Sequence, residues 1–171
     1  MTHHILILGG TAEARQIAAA INERRDCNVV LSLAGRTETP VAQGVPVRSG
    51  GFGGPAGLGA WLRDNAVSLL IDATHPYAAR ISANAEAAAR ETGVPLLALR
   101  RPGWERVAGD QWREVDDVAS AVHALGSSPR RVFLSLGRQE IHAFEAAPQH
   151  HYLVRSVDPV EPPLAVPQAE M

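Results

Sequence analysis

The chain has 171 residues, of which 46% are hydrophobic and 20% are charged. It is too apolar for intrinsic disorder and long enough for one hydrophobic core and part of a second. The net charge of −2 argues against a nucleic-acid-coating surface, and no stretch reaches the roughly 18 apolar residues of a membrane helix. A single cysteine, Cys27, excludes an internal disulfide framework and a cysteine-built zinc site, so the sequence predicts a cytoplasmic protein without a metal centre.

All 16 basic side chains are arginines. One interpretation is a bias in the coding sequence. The other is recognition of carboxylates or phosphates, which the planar guanidinium binds through two hydrogen bonds. The absence of lysine excludes Schiff-base chemistry and a Walker-type phosphate loop.

Apolar runs alternate with helical patterns over the first hundred residues. Strands are predicted at 3–8, 27–33, 45–48, 68–73 and 95–99, and helices at 11–24, 55–66 and 76–93. Thr11 is the expected N-cap of the first helix. Short connections between alternating strands and helices predict an α/β fold, a Rossmann-like doubly wound parallel sheet with helices on both faces.

The pattern changes after Arg101. An irregular connection leads to a short predicted strand at 112–115, and the elements after it are a helix at 116–125, a strand at 131–136, a helix at 137–144 and a strand at 151–157. Four prolines between Asp158 and Met171 exclude regular helix or central strand there. The sequence thus predicts a Rossmann-like domain at 1–115 and the incomplete start of a second α/β domain at 116–171.

The first candidate motif is the turn after the first strand, Gly9-Gly10-Thr11-Ala12-Glu13. Glycines between a strand and a helix let backbone N–H groups approach a pyrophosphate, whose charge the helix N-terminus favours. The G-x-G-x-x-G form is absent, and Thr11 offers a hydroxyl. Either the turn binds a nucleotide, or its glycines serve only the packing of a doubly wound sheet.

The second motif follows the second strand, where dinucleotide-binding folds carry an acid for the adenosine ribose. Here Ser32, Arg36 and Thr37 occur, with no carboxylate between Asp26 and Glu38. A guanidinium with hydroxyl groups suits a 2′-phosphate, so NADP is favoured over NAD. The alternative is that Arg36 is a solvated loop residue.

Two further motifs follow the third and fourth strands. The glycines of Gly50-Gly51-Phe52-Gly53-Gly54 indicate either close backbone approach to a ligand or a mobile loop. In Asp72-Ala73-Thr74-His75-Pro76-Tyr77-Ala78, His75 and Tyr77 stand where ligands of open α/β sheets bind. They are candidates for hydrogen-bonding a substrate or moving a proton. The alternative is that His75 caps its own turn.

The chain resembles precorrin-6A reductases in the order of these strings and of three others: Ala-Gly-Arg at 34–36, Arg-Pro-Gly-Trp at 101–104 and Leu-Gly-Arg at 136–138. Members of that family are NADPH-dependent enzymes of cobalamin biosynthesis. The resemblance spans essentially the whole chain. The most specific strings are Asp-Ala-Thr-His-Pro-Tyr-Ala and the double-glycine turn.

The resemblance implies two Rossmann-like domains, NADPH as cofactor and a small tetrapyrrole, a corrin precursor, as substrate. It implies hydride transfer from NADPH to the macrocycle, with His75 and Tyr77 facing the reaction. The implied cofactor-binding residues are Gly9, Gly10, Thr11, Glu13, Ser32, Arg36, Gly51 and Gly53. Candidate partners for the substrate carboxylates are Arg100, Arg101 and Arg138, and also Arg106 and Arg155.

Members of the family normally continue with the rest of the second domain after the proline-rich segment. A second hypothesis is therefore a non-catalytic or truncated NADP-binding module.

Overall fold

The structure, a computed structural model, describes residues 2–35, 42–156 and 158–170. The chain divides into two units between Trp104 and Glu105, earlier than the predicted boundary between residues 115 and 116. Residues 105–115, which were predicted to end the first domain, belong to the second unit, and Arg113 bonds to its first helical segment. The Nη1 group of Arg113 donates to the carbonyl oxygen of Ala124 at 2.6 Å.

The first unit is a parallel sheet with helices on both faces. Its strands are β1 (His3–Leu8), β2 (Cys27–Leu33), β3 (Val47–Ser49), β4 (Leu69–Asp72) and β5 (Leu96–Ala98), and its helices are α1 (Ala12–Asn22), α2 (Gly54–Asp64) and α3 (Ala79–Thr92). The strand order is β3-β2-β1-β4-β5, and all pairs are parallel. The predicted α/β fold is confirmed.

The alternation of side chains along β1 explains why helices cover both faces of this sheet. Ile5 and Ile7 point to one face, where they join a buried cluster with Ala14 and Ala18 of α1. Leu6 and Leu8 point to the other face and pack in a cluster contributed by α2 and α3. Successive strand residues face opposite sides, so a fully apolar strand requires cover on both.

The helix boundaries follow local hydrogen bonds. Thr11 is the N-cap of α1, as predicted, and its side chain accepts a bond from the N–H of Ala14. Helix α3 begins at Ala79 rather than at Pro76, because the N–H of Ala78 donates to the carbonyl of His75 at 2.8 Å and closes a separate turn. This turn displays the side chains between the end of β4 and the helix.

The second unit contains a smaller parallel sheet of order β6-β7-β8. Its elements are α4 (Val118–Ala124), β6 (Arg131–Leu134), a 3₁₀ helix (Ile141–Ala146), β7 (His151–Val154) and β8 (Ala169–Glu170). Asp117 caps α4 by accepting a bond from the N–H of Ser120 at 2.7 Å. α4 and the 3₁₀ helix contribute to a core with Leu134, Tyr152 and Val154. Phe133 and Leu153 stand exposed on the opposite face of the sheet.

Two predictions for this unit are wrong. The segment 112–115 is irregular, with the carbonyl of Trp112 bonded to Arg106 instead of a neighbouring strand. Instead of a helix from Gly137, only the 3₁₀ helix from Ile141 forms. The prediction for the proline-rich segment is confirmed over the described residues 158–170, which contain no helix and no central strand. The short β8 is an edge strand that begins after Pro167, where the carbonyl of Gln168 accepts a bond from the N–H of Tyr152. Within the described ranges, no helix is long and apolar enough to cross a membrane.

Candidate functional site

The candidate site lies at the carboxyl edge of the first unit's sheet. Strand order reverses between β1 and β4, which pair directly, with Leu8 opposite Asp72. Open α/β sheets bind ligands at the carboxyl ends of their strands beside such a reversal. The described residues that directly follow each of the five strands therefore lie at the edge where a ligand is expected.

The turn after β1, residues 9–13, has an exposed glycine backbone and is called the cradle below. Gly10 has a φ of 110°, which disfavours any other residue, and the space where its Cβ would stand is open. Gly9 is packed instead, because a Cβ there would lie 2.6 Å from Cδ1 of Leu31. The turn leads into the N-terminus of α1, so its backbone fits a nucleotide pyrophosphate.

The hydroxyl of Thr11 is already engaged by the protein. Oγ1 donates to the carbonyl of Ala73 at 2.7 Å and accepts from the N–H of Ala14 at 3.1 Å. The single hydroxyl hydrogen thus links the turn after β1 to the end of β4. Toward a ligand, Thr11 offers its backbone N–H.

Glu13 and Arg101 form an ion pair beside this turn. Glu13 stands in the first turn of α1, and Arg101 follows β5. The hydrogen bond from Arg101 holds the pKa of the Glu13 carboxyl below its ordinary value. The guanidinium offsets the negative charge of Glu13 near the place expected for phosphates.

Asp72 is the most buried charged group of the site. It ends β4 with its side chain 1% exposed, and its Oδ2 accepts a bond from Nη2 of Arg100 at 2.9 Å. Its Oδ1 accepts from the N–H of Thr74 at 3.1 Å and from its hydroxyl at 2.6 Å. Burial alone raises the pKa of this carboxyl, but hydrogen bonds from Ser82, Thr74 and Arg100 outweigh it and lower the pKa. Asp72 is thus held ionised.

His75 and Tyr77 stand on the exposed turn that follows Asp72. Nδ1 of His75 accepts a bond from the N–H of Tyr77 at 3.3 Å, and the ring centroids lie 5.1 Å apart. The imidazole therefore caps its own turn through Nδ1, while the residue as a whole is exposed. Tyr77 is 81% exposed. Both rings are available to a molecule bound at this edge.

The ends of β2 and β3 are joined by Arg48, which the sequence analysis did not single out. Its Nη1 donates to Oγ of the buried Ser32 at 3.2 Å and to the carbonyl of Gly50 at 2.6 Å. Its Nη2 donates to the carbonyl of Gly51 at 2.7 Å. Gly53, with a φ of 80°, precedes the first turn of α2.

The structure brings together most of the predicted residues. At the carboxyl edge of the first sheet stand Gly9, Gly10, Thr11, Glu13, Ser32, Gly51, Gly53, His75, Tyr77, Arg100 and Arg101. Arg138 belongs to the second unit, where it lies 3.9 Å from Asp158. Arg36 and Thr37 lie outside the described residues.

Two residues important to this edge were missed as site candidates. Asp72 had a signal in the sequence, because a carboxylate directly after an apolar strand must find partners. Arg48 had no such signal in the sequence, because an arginine in a short exposed strand does not indicate a site until its contacts are known. Among the described residues, no group of three metal-ligating side chains is close enough to hold an ion.

Comparison with known proteins places this geometry in context. The family model described as "Precorrin-6x reductase CbiJ/CobK" matches residues 4–171. The precorrin-6A reductase of a Sinorhizobium species is 57% identical over 166 residues, which are 97% of this chain and 64% of that protein. The precorrin-6A reductase of Rhodobacter capsulatus is 53% identical over 165 residues, which are 96% and 65%.

A solved structure agrees with these matches. That structure, a CobK precorrin-6A reductase, is 53% identical to this chain and superposes with a TM-score of 0.89. The superposition covers 99% of this chain and 67% of the other. The chain thus spans about two thirds of the length of the curated relatives it matches.

Proposed function

The chain belongs to the precorrin-6x reductase family, and on that premise we propose that it is a precorrin-6A reductase. The reaction is transfer of a hydride from NADPH to the macrocycle of a corrin precursor, a step of cobalamin biosynthesis. The relatives of highest identity quoted above carry this name. The cytoplasmic location expected from the sequence stays a prediction.

The observation that carries the proposal is the cradle after β1. Gly10 combines a positive φ with open space where a side chain would stand, directly before the N-terminus of α1. Backbone N–H groups and the positive end of a helix suit a pyrophosphate. NADPH, when bound, supplies the hydride, and the role of the chain is to position the cofactor and the substrate.

His75 and Tyr77 are our candidates for the reacting end of the site. They follow β4, next to the strand that ends in the cradle. Exposure leaves the imidazole free to hold or deliver a proton near the macrocycle. The assignment of Arg101 and of Arg138 to substrate carboxylates stays a prediction, and each of them also lies beside a carboxylate of its own unit, Glu13 and Asp158 respectively. Arg100 is already paired with Asp72, so we assign it first to holding that turn.

NADPH should bind the purified chain at least tenfold more tightly than NADH, because a charge-assisted bond to the 2′-phosphate contributes about 1.5–3 kcal/mol. Isothermal titration calorimetry with both cofactors measures the ratio of the two affinities.

Gly10→Ala should weaken NADPH binding about tenfold or more, because its Cβ occupies the open space and strains a positive φ.

The matched control is Gly93→Ala. Gly93 also has a positive φ, 74°, with open space around it, but it ends α3 on the side where β5 begins. Gly93→Ala should lower the stability of the protein without changing its affinity for NADPH. Absence of NADPH binding to the unaltered chain would refute the proposed function.

Replacement of His75 should leave NADPH affinity unchanged and lower the turnover of precorrin-6A by roughly a hundredfold, the usual contribution of a general acid or base. His75→Asn can still accept a bond from the N–H of Tyr77, whereas His75→Ala cannot. Turnover is measured as NADPH oxidation in the presence of precorrin-6A. Full activity of His75→Asn would show that His75 only caps its turn.

The second hypothesis of the sequence analysis, a non-catalytic NADP-binding module, requires only the glycine turn after β1 and not the groups at the reacting end of the site. The same experiments separate the two hypotheses. Tight NADPH binding without turnover of precorrin-6A supports the module, whereas binding with turnover supports the reductase.

A further inference from the structure

Arg48 occupies an unusual position in the first unit. It belongs to β3, and its guanidinium lies at the carboxyl edge between the end of β2 and the glycine segment 50–54. Its Cζ lies 3.6 Å from the centroid of the Phe52 ring, so the side chain is stacked as well as hydrogen-bonded. A single side chain therefore joins two neighbouring strand ends.

Within the ranges 2–35, 42–156 and 158–170, no carboxylate pairs with this charge. Four other arginines form ion pairs: Arg24 with Asp26, Arg63 with Glu91, Arg100 with Asp72, and Arg101 with Glu13. Among the described residues, Arg48 contacts only a hydroxyl, two carbonyls and a ring. Burial lowers the pKa of its guanidinium. A partly buried cation without an anion is costly unless a ligand supplies the missing charge.

The place of this charge indicates which ligand group it meets. Ser32, its hydroxyl partner, is the last residue but one of β2 and lies opposite Leu8 at the end of β1. In dinucleotide-binding folds the adenosine ribose lies beside the end of the second strand. A guanidinium has five N–H donors, and the bonds to Ser32, Gly50 and Gly51 leave some of them for a phosphate.

We propose that Arg48 binds the 2′-phosphate of the NADP cofactor and is a determinant of the preference for NADP over NAD. This inference rests on the proposed function, since it requires a dinucleotide in the cradle. The phosphate supplies an anion to a guanidinium that contacts none among the residues that the structure describes. Because the same guanidinium holds the carbonyls of Gly50 and Gly51, the glycine segment and the phosphate share one anchor.

The test compares two probes that differ only in the 2′-phosphate, 2′,5′-ADP and 5′-ADP. Their dissociation constants are measured by calorimetry for the unaltered chain, Arg48→Met, Arg48→Lys and Arg36→Met. The control is Arg24→Met, which removes an exposed guanidinium at the opposite edge of the sheet, before β2 begins. The quantity of interest is the ratio of the two affinities.

The unaltered chain should prefer 2′,5′-ADP at least tenfold, and Arg48→Met should reduce that preference roughly ten- to a hundredfold. Arg48→Lys keeps the charge but not the fork, so it should retain part of the preference. This variant also tests the proposal if Arg48→Met does not fold. Arg24→Met should leave the ratio unchanged.

Three outcomes would overturn the role of Arg48 while leaving nucleotide binding intact. In the first, Arg48→Met weakens the binding of 2′,5′-ADP and of 5′-ADP equally. In the second, the unaltered chain binds the two probes with equal affinity. In the third, Arg36→Met abolishes the preference for 2′,5′-ADP while both Arg48 variants keep it. Failure of the unaltered chain to bind NADPH and both probes would instead refute the proposed function. The two failures are therefore distinguishable.

Discussion

Gly57→Ala is expected to lower the free energy of unfolding of the first unit by about 3 kcal/mol or more. A Cβ at this position of α2 would lie 1.8 Å from the carbonyl oxygen of Phe52 and 2.9 Å from its carbonyl carbon. Both atoms are backbone, so no rotation of a side chain relieves the overlap. Either the helix or the glycine segment 50–54 must move, and each movement disturbs packing.

Gly59→Ala, two residues further along the same helix, is the matched control. A Cβ there would meet Cγ2 of Thr92 at 3.5 Å, an ordinary contact. Because alanine is the better helix former, Gly59→Ala should be neutral or more stable by up to about 1 kcal/mol. Urea denaturation of both variants measures the difference. Equal stabilities would contradict the close approach of Phe52 to Gly57.

The second large effect is expected for Asp72→Asn, which should destabilise the first unit by about 2 kcal/mol at neutral pH. The substitution keeps an oxygen for the bonds from Thr74 but leaves Arg100 without its carboxylate. The loss is moderated because the Arg100 side chain is 41% exposed and water solvates part of its charge.

This effect should depend on pH. The pKa of Asp72 is lower in the folded protein than its ordinary value of 3.8, so the folded state binds fewer protons than the unfolded state. Its contribution is present above that ordinary value and is lost as the pH falls through the lowered pKa. The stability gap between the unaltered chain and Asp72→Asn should therefore narrow below about pH 4.

Asp26→Asn provides the comparison for this pH dependence. Arg24 holds the pKa of Asp26 at about 2, yet both side chains are largely exposed. Because solvent screens an exposed pair, Asp26→Asn should lower stability less than Asp72→Asn at pH 7, and this smaller effect should also decrease below about pH 4. Urea denaturation at pH 7, 5 and 3.5 tests both carboxylates. A constant gap for Asp72→Asn across this range would show that its charge is not the stabilising feature.

The parts of the fold that sequence predicted are those that periodicity and capping determine. β1 and β2 have the predicted bounds, and Thr11 caps α1, because an apolar strand, a glycine turn and a capping residue are local signals. The segment 112–115 was misjudged as a strand. Whether an apolar segment joins a sheet depends on a neighbouring strand, and the carbonyl of Trp112 is bound by Arg106 instead.

The candidate site was predictable where a motif directly follows a strand. Parallel strands bring their carboxyl ends to one edge, so the glycine turn and His75 could be placed from order alone. The sequence could not predict which charged side chains pair with each other. Arg100 was expected to meet a substrate, yet it is held by Asp72, and the contacts of Arg48 depend on backbone carbonyls of the glycine segment.

The neighbourhood of Phe52 also provides an optical reporter of the glycine segment. The ring of Trp61 in α2 meets that of Phe52 edge to face, with centroids 5.9 Å apart. Any displacement of the segment therefore changes the environment of a half-buried indole. Trp104 is 84% exposed, so its emission is expected at longer wavelength than that of Trp61. A change in the short-wavelength part of the tryptophan emission would therefore report movement of the glycine segment without an added label.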